Sequence, residues 1–336
     1  MNIIIDAMGG DNAPKEILLG AAMAVQEYGV EITAVGNQET ITACAKENGI
    51  SMEKITVVNA TEVIEMCDEP AKAIRAKKDS SMVVGLHLLA EGKGDAFVSA
   101  GSTGALHVGT SLIVRTLKGI KRPALASVVP GAKGPFLLMD CGANVECRAP
   151  MLNAFGLMGT VYMRKVMGVA SPRVALVNNG SEESKGTPLY VEAHQLLKAN
   201  HALNFVGNIE PRDIPYGDAD VVVCDGFTGN VILKLTEGLA KYLVGEIKEV
   251  FMKSTVTKMA FLMVKNGMKG FKKKLDADEH GGAPLLGAAK PVIKAHGSSN
   301  AKAFKNAIRQ AKTCVEGRMV EVMAQELAEM TSATEK

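Results

Sequence analysis

Short runs of β-branched and apolar residues recur along the chain, at 2–6, 31–35, 55–59, 95–99, 125–129, 136–140, 173–178, 203–207 and 220–225. Most are continuous rather than alternating, which is the mark of strands buried on both faces. Between them, apolar positions fall at helical spacing over 15–28, 37–47, 71–92 and 191–199. Strand and helix in alternation predict a largely parallel sheet covered on both sides, a doubly wound α/β/α sandwich. From about Thr236 to Leu275 the chain turns helical and rich in Lys and Met. A glycine-rich turn, HGGAPLLG, follows, then a strand-like segment, PVIKAHGSS, and a last helix over about 300–330. With no internal repeat and no low-complexity linker, the expectation is one α/β domain over 1–336 carrying a helical excursion at 237–278.

The chemistry is concentrated where the strands end. The runs close on DAMGGD, SAGSTGA, DCGANVE, NNGSEESKG, GNIEPRD and DGFTGN. Glycine there lets backbone N–H groups approach a ligand, and in open α/β sheets ligands bind beyond the carboxyl ends of strands. If these ends share one edge, they line one crevice with the character of a phosphate site. Its candidate lining is Asp6, Gly9, Gly10, Asp11, Gly101, Ser102, Thr103, Asp140, Asn144, Asn179, Glu182, Asp225, Thr228 and Gly229. His296 and Ser298, just before the last helix, join it as possible donors to an anion or as residues of a plain capping turn.

Within that lining, Lys185 is either a surface lysine on a loop or the cation that holds an anionic substrate. Asn230 is either a helix N-cap or an amide donor to a carbonyl or phosphate oxygen. Asp6, Asp11, Asp140 and Asp225 suit helix caps. Their dispersal over four turns makes a metal site the minor reading, and no metal is assigned. His87, His107, His194, His201 and His280 have no evident partner in the sequence.

Composition removes other classes. The formal net charge of +2 argues against a nucleic-acid binder, and the 47% apolar content permits a sizeable core. The six cysteines form no C-x-x-C and read as small core residues of a reducing compartment. The N-terminus lacks the basic and apolar regions of a signal peptide, and no apolar run is long enough to span a bilayer. A Walker A loop, a G-x-G-x-x-G after the first strand, a G-x-S-x-G elbow and an H-x-x-x-x-D motif are all absent. An acyl-enzyme on Ser or Cys is therefore not indicated.

The stretch 250–275 holds seven lysines and no acid. On a helical projection Lys258, Lys265, Lys269 and Lys272 share an arc of about 60°. Val256, Met259, Ala260, Met263, Val264 and Phe271 take the other side. This is the pattern of an interfacial helix that seats an apolar face among anionic headgroups. Met259, Phe261, Leu262, Met263, Val264 and Lys265 are its expected contact residues. Packing against the domain or a second subunit explains the same face, and the basic surface also suits an acidic carrier protein. Gly267 and Gly270 weaken one unbroken helix.

Taken together, DAMGGDNAP, SAGSTGA, KRPA, DCGAN, the N-x-G-x-E-x-x-K-G of 178–186, DVVVCDGFTGN, GGAPLLG and KAHGSSNAKAF resemble the signatures of the bacterial acyl-carrier-protein:phosphate acyltransferases (PlsX proteins). The resemblance runs from residue 2 to about residue 315. It implies a Rossmann-like sandwich akin to phosphotransacetylases and isopropylmalate-type dehydrogenases. It also implies a homodimer in the cytoplasm, peripherally attached to the membrane. The implied reaction moves a fatty acyl chain from acyl-carrier protein to inorganic phosphate, giving acyl phosphate for phospholipid synthesis, with no cofactor. The family residues that act directly correspond to Lys185 and Asn230. Two positions depart from the family's pattern. Pro211 stands where glycine is common and removes an amide donor, and Asn179 stands where an aliphatic residue is expected.

Two other classes compete. A phosphotransacetylase-like or decarboxylating-dehydrogenase relative would depend on coenzyme A or NAD. A membrane-attached scaffold that docks carrier protein would have no use for polar residues at so many strand ends.

Overall fold

The computed structural model describes residues 1–275 and 281–334. Residues 276–278 of the expected excursion, His280 and the last two residues lie outside that set, as does the side chain of Lys272. Eleven strands form one continuous sheet. They are β1 (Asn2–Asp6), β2 (Glu31–Gly36), β3 (Ile55–Asn59), β4 (Ala96–Ser99), β5 (Ala124–Val129), β6 (Phe136–Met139), β7 (Arg173–Val177), β8 (Asn204–Ile209), β9 (Val221–Val223), β10 (Ala283–Leu286) and β11 (Val292–Lys294). Their spatial order is β3-β2-β1-β4-β11-β10-β5-β6-β9-β7-β8.

Helices cover both faces, each over its own core. One core joins the sheet to α1 (Lys15–Tyr28), α2 (Gln38–Glu47), α6 (Ala149–Lys165), α7 (Pro188–Ala199), α10 (Ala301–Glu316) and α11 (Met319–Thr334). The other joins it to α3 (Pro70–Ala76), α4 (Ser81–Ala90), α5 (Thr103–Gly109) and the start of α8 (Gly226–Met252). Alternate residues of one strand serve opposite cores: Ile3 and Ile5 face the first, Ile4 the second. That two-sided burial is why the strand runs read as continuous.

The doubly wound α/β expectation holds, with one change of consequence. β3, β2, β1, β4 and β11 run parallel to one another. Then β10 reverses against β11, β5 against β10, and β6 against β5. β9, β7 and β8 continue parallel to β6. The half-sheet β6-β9-β7-β8 therefore runs opposite to the half-sheet β3-β2-β1-β4-β11.

Local chemistry accounts for smaller departures. The single helix expected over 71–92 is two, because Ser80 in extended conformation accepts from the Val83 N–H and starts α4 afresh. The last helix breaks at Gly317–Arg318, where Arg318 has φ of 47°. Within GGAPLLG, Ala283–Leu286 is a strand rather than a turn, since its apolar side chains pair against β5 and β11. β9 stops at Val223 because Asp225 already caps α8. The helical excursion starts at Gly226, well before 237, and continues through α9 (Thr255–Leu275).

α8 and α9 form a hairpin that leans little on the rest of the chain. The only residues of α8 that are fully buried are Gly226 and Gly229. Phe227, Val231, Leu235, Leu239, Tyr242 and Leu243 are exposed along α8 at spacings of three and four. On α9, Met259, Leu262, Met263 and Val264 are exposed, Met263 at 89%, and Lys265 is exposed too. Phe261 differs from its expected role. It is half-buried, with its ring 5.3 Å from that of Phe251 across the hairpin.

Candidate functional site

The first group of candidate residues gathers at the carboxyl ends of β1, β4 and β11. Asp6 closes β1 and is buried. Its Oδ2 accepts from the Ser99 hydroxyl at 2.7 Å and its Oδ1 from the Met8 N–H at 3.3 Å. Burial pushes its carboxyl up, against hydrogen bonds from Ser81, Ser99 and the Met8 and Gly9 amides. Ser99 passes the order on, accepting from the Gly101 N–H at 3.0 Å. Gly9 admits no side chain, because a Cβ there would overlap Asp6 and come within 2.8 Å of the Gly101 nitrogen. Gly10 has φ of +104° and lies against Ala100 and the Gly297 carbonyl. The Asp11 N–H donates to that carbonyl at 2.8 Å, and Asn12 Nδ2 to the Ser298 and Ser299 carbonyls at 3.2 Å. His296 Nδ1 lies 2.9 Å from the Ser298 hydroxyl, both exposed. DAMGGD, SAGST and HGSS are thus one knot of three turns. Ser102 also caps α5, its hydroxyl accepting from the Ala105 N–H, and Thr103 opens that helix.

A second group sits at the ends of β6, β7 and β9. Asp140 is buried, and its carboxylate is the hub of the DCGAN turn. Oδ1 accepts from the Leu125, Gly142 and Ala143 amides at 3.0–3.2 Å, and Oδ2 from Asn144 N and Nδ2 at 2.7 Å each. Burial raises its pKa while those donors oppose the rise. The Asn144 carbonyl accepts from the Gly226 N–H at 2.7 Å, which joins DCGAN to DGFTGN. Gly229 is required by the same junction, since a Cβ would overlap the Asp140 carbonyl oxygen. Asp225 caps α8 by accepting from Thr228 N at 2.9 Å and Thr228 Oγ1 at 2.8 Å, and from Tyr190 OH at 2.5 Å. The cap position is therefore taken by Asp225. Asn230 lies inside α8, half-buried, with its side chain 3.5 Å from where a Cβ of Gly142 would stand.

Lys185 rides on the loop after β7, its side chain 48% exposed and 3.9 Å from Glu182. The loop itself is well held. Asn178 Nδ2 donates to the Lys185 carbonyl at 3.0 Å, and Gly186, at φ of +94°, packs on Asn178 and Tyr190. Asn208 Nδ2 donates to the Glu182 carbonyl at 2.8 Å, and Asn208 Oδ1 lies 2.8 Å from His194 Nδ1. Lys198 holds Glu183 at 2.6 Å. Asn179 is exposed, its own N–H donating to Asn178 Oδ1. Pro211 is exposed in a turn closed by the Asp213 N–H on the Glu210 carbonyl.

The two groups do not share an edge of the sheet, and the expectation of strand ends in one row is corrected here. Because the sheet reverses through β10, β5 and β6, the two sets of turns leave it in opposite senses. Strand twist of about 20–25° per neighbour turns the half-sheets through roughly a right angle between β4 and β9, so the two sets of turns do not point directly away from each other. No hydrogen bond among the described residues joins the groups directly. Their bridge is the Pro123 carbonyl of the KRPA segment, which lies 3.0 Å from His107 Nε2 on α5 and accepts from Asn144 Nδ2 at 2.9 Å. Burial lowers the pKa of His107, so the ring is neutral there. Across the same gap, the Lys234 charge on α8 acts on Lys294 at the end of β11.

Ser99, His107, Tyr190, Asn208 and Lys294 were not singled out by the sequence. Only Lys294 carried a signal, as a lysine inside the apolar strand PVIKA. Among the described residues no group of His, Cys, Asp and Glu is arranged to hold a metal ion, and no helix is long and apolar enough to cross a membrane. All six cysteines are free, and burial drives the thiols of Cys141, Cys147 and Cys314 up to about 12 and that of Cys224 well above its ordinary value.

The fold, a mostly parallel sheet that reverses at its centre, is shared with solved phosphotransacetylase structures. The chain superposes on the EutD phosphotransacetylase from Staphylococcus aureus with a TM-score of 0.64, covering 94% of each chain at 16% identity. A phosphotransacetylase from Streptococcus pyogenes gives the same TM-score at 18% identity, again covering 94% of each chain. Within that class the chain belongs to the family described as fatty acid synthesis protein, which it matches over residues 1–322. It is 52% identical to the phosphate acyltransferase of Alkaliphilus oremlandii over 321 residues, 96% of each chain. It is 49% identical to that of Clostridium botulinum over 331 residues, 98% of each chain. The family resemblance read from the eight motifs is borne out.

Proposed function

We propose that this protein transfers a fatty acyl chain from acyl-carrier protein to inorganic phosphate, releasing acyl phosphate for phospholipid synthesis. The observation that carries the reading is the division of the site. Glycine-lined turns suited to an oxyanion stand at the ends of β1, β4 and β11. Lys185 and Asn230 stand after β7 and β9, in the other half of the sheet. Among the described residues the thiols nearest the turns, Cys141, Cys147 and Cys224, are held protonated by burial, so none is an activated nucleophile. Direct attack by phosphate needs no such nucleophile.

In this reading a phosphate oxygen forms a bond to the thioester carbonyl carbon, and the carbonyl oxygen becomes an oxyanion. Lys185 and Asn230 donate to that oxygen as its charge develops. The oxyanion collapses, the carbon–sulfur bond breaks, and the departing thiolate takes the proton given up by the attacking hydrogen phosphate to leave as the carrier thiol. Holding both substrates in one crevice supplies the remainder of the acceleration by lowering the entropic cost of their encounter.

The α8–α9 hairpin supports two partner assignments. The exposed apolar stripe of α8 suits a second copy of the chain. Met259, Leu262, Met263, Val264 and Lys265 of α9 suit an anionic membrane surface, which would place a cytoplasmic enzyme at the lipid that uses its product. Phe261 is assigned instead to holding the hairpin together.

The deciding assay is phosphate-dependent release of free thiol from palmitoyl-acyl-carrier protein, with acyl phosphate trapped by hydroxylamine. Release that requires phosphate and yields acyl hydroxamate supports the reading. Activity with acyl-coenzyme A alone would move the assignment to a phosphotransacetylase, and turnover of NAD to a dehydrogenase.

A further inference from the structure

Lys294 ends β11 at the centre of the sheet and is only 7% exposed. Its ammonium donates to the Ala100 carbonyl at 3.2 Å and to the carbonyl of Ala295, and it forms no ion pair with a carboxylate among the described residues. Removing an ammonium from water without an opposite charge is costly, and two neutral carbonyls offset only part of that cost. A residue retained for packing alone would be an apolar side chain of the same length. The charge is therefore unexplained by the fold.

Its position suggests the reason. The Ala100 carbonyl that accepts from Lys294 lies 3.4 Å from where a Cβ of Gly10 would stand and 3.9 Å from one at Gly297. Lys294 is thus rooted where DAMGGD, SAGST and HGSS come together. The charged groups that face it are Asp6 at the end of β1, Asp11 in the following turn and Lys234 on α8. Asp6 acts on it by its charge but makes no ion pair with it among the described residues, its oxygens accepting instead from Ser99 and Met8. Asp11 is exposed to water. A small anion resting on the three turns would complete the charge balance that the chain leaves open.

We propose that Lys294 is a substrate-binding residue of this site, its ammonium holding inorganic phosphate at the junction of Gly9–Asp11, Ala100–Ser102 and His296–Ser298. The proposal rests on the acyltransferase reading for the identity of the anion. It divides the work between two lysines: Lys294 fixes the nucleophile, and Lys185, across the crevice, answers to the thioester.

Burial lowers the pKa of Lys294 to about 8, with Asp6 and Asp11 limiting the fall and Lys234 adding to it. The ammonium is therefore mostly charged at neutral pH and loses its proton as the pH rises past about 8. Above about pH 8 phosphate keeps one charge state, so the loss of attraction there belongs to the lysine.

The test measures inorganic phosphate binding to the full chain without acyl donor, by calorimetry and by phosphate-induced thermal stabilisation. From about pH 8 upward, where phosphate keeps one charge state, wild-type affinity should fall by up to about tenfold per pH unit. Lys294→Met should lose about tenfold or more in phosphate affinity near neutrality and show no step above it, while the KM for the acyl carrier stays unchanged. A folded Lys294→Met protein that binds phosphate as wild type does would overturn the proposal. If that variant does not fold, the wild-type profile decides: a flat affinity through the range refutes it. Phosphate binding with the expected step but no thiol release would sink the acyltransferase reading and leave Lys294 as an oxyanion residue.

Discussion

The cost of keeping Lys294 charged predicts a pH-dependent stability that can be measured without substrate. In the unfolded chain the lysine holds its proton to about 10.5, and in the folded chain only to about 8. Between those values the unfolded state binds more protons, so stability rises with pH through that window. At about 1.4 kcal/mol per tenfold change in proton affinity, the whole rise is about 3 kcal/mol. Replacing Lys294 by Met removes this term. It also leaves the Ala100 and Ala295 carbonyls without their donor, at about 1–3 kcal/mol each. That second loss does not depend on pH, so the pH dependence of the difference isolates the charge.

The raw wild-type curve will not show the rise cleanly. Burial keeps Cys141, Cys147 and Cys314 protonated up to about 12 in the folded state. The unfolded thiols ionise near 9.0, so each of them lowers stability as the pH climbs past that value. Wild type and Lys294→Met share these groups, and subtraction cancels them. The assay is urea unfolding of both proteins at about pH 7 and about pH 10, at one protein concentration. Wild type should gain about 2–3 kcal/mol on the variant between the two. A difference that stays constant within error would mean that Lys294 is not held in a desolvated, charged state, and the inferred reason for its presence would fall with it.

Other changes probe separate parts of the site. Lys185→Ala should fold normally, because its side chain is half exposed, and should lose roughly 100-fold or more in turnover if it stabilises the oxyanion; wild-type rates would remove it from the mechanism. Gly229→Ala forces a Cβ onto the Asp140 carbonyl and should cost about 1–3 kcal/mol or more by thermal unfolding, with DCGAN and DGFTGN pushed apart. Asn208→Ala frees the Glu182 carbonyl at the base of the Lys185 loop and should cut turnover by about tenfold, with unaltered phosphate affinity. Met263→Glu, at the exposed crest of α9, should change stability by less than about 0.5 kcal/mol and abolish binding to phosphatidylglycerol vesicles with turnover intact; unfolding would show that the face packs on protein instead.

Much of this architecture was legible because each level of the sequence agreed with the next. The continuous runs 2–6, 136–140 and 173–178 fell within a residue or two of β1, β6 and β7, since burial on both faces leaves no polar position to blur their limits. The glycines after them marked turns that tolerate no side chain, as Gly9 and Gly229 show. What escaped was non-local. Nothing in APLL says that it pairs antiparallel with β5 and β11, yet that pairing reverses half of the sheet. Nor does the spacing of Tyr190 or Asn208 announce that they hold Asp225 and the Lys185 loop, because those partners are brought together by the crossovers and not by local periodicity.

That reversal bears directly on catalysis. In a sheet of uniform direction all the glycine turns would compete for one edge, and a phosphate and a thioester carbonyl would both be drawn to the same set of N–H groups. Under the proposed reaction, opposed half-sheets separate the two tasks. The β1-β4-β11 turns are braced by Asp6 and Ser99, and the β6-β9-β7 turns by Asp140 and Asp225. Each group is braced by its own buried carboxylate, and between them the Pro123 carbonyl is shared by His107 and Asn144. Loss of the His107 donor should therefore change how the two substrates are aligned, and so turnover, more than it changes the affinity for either one alone.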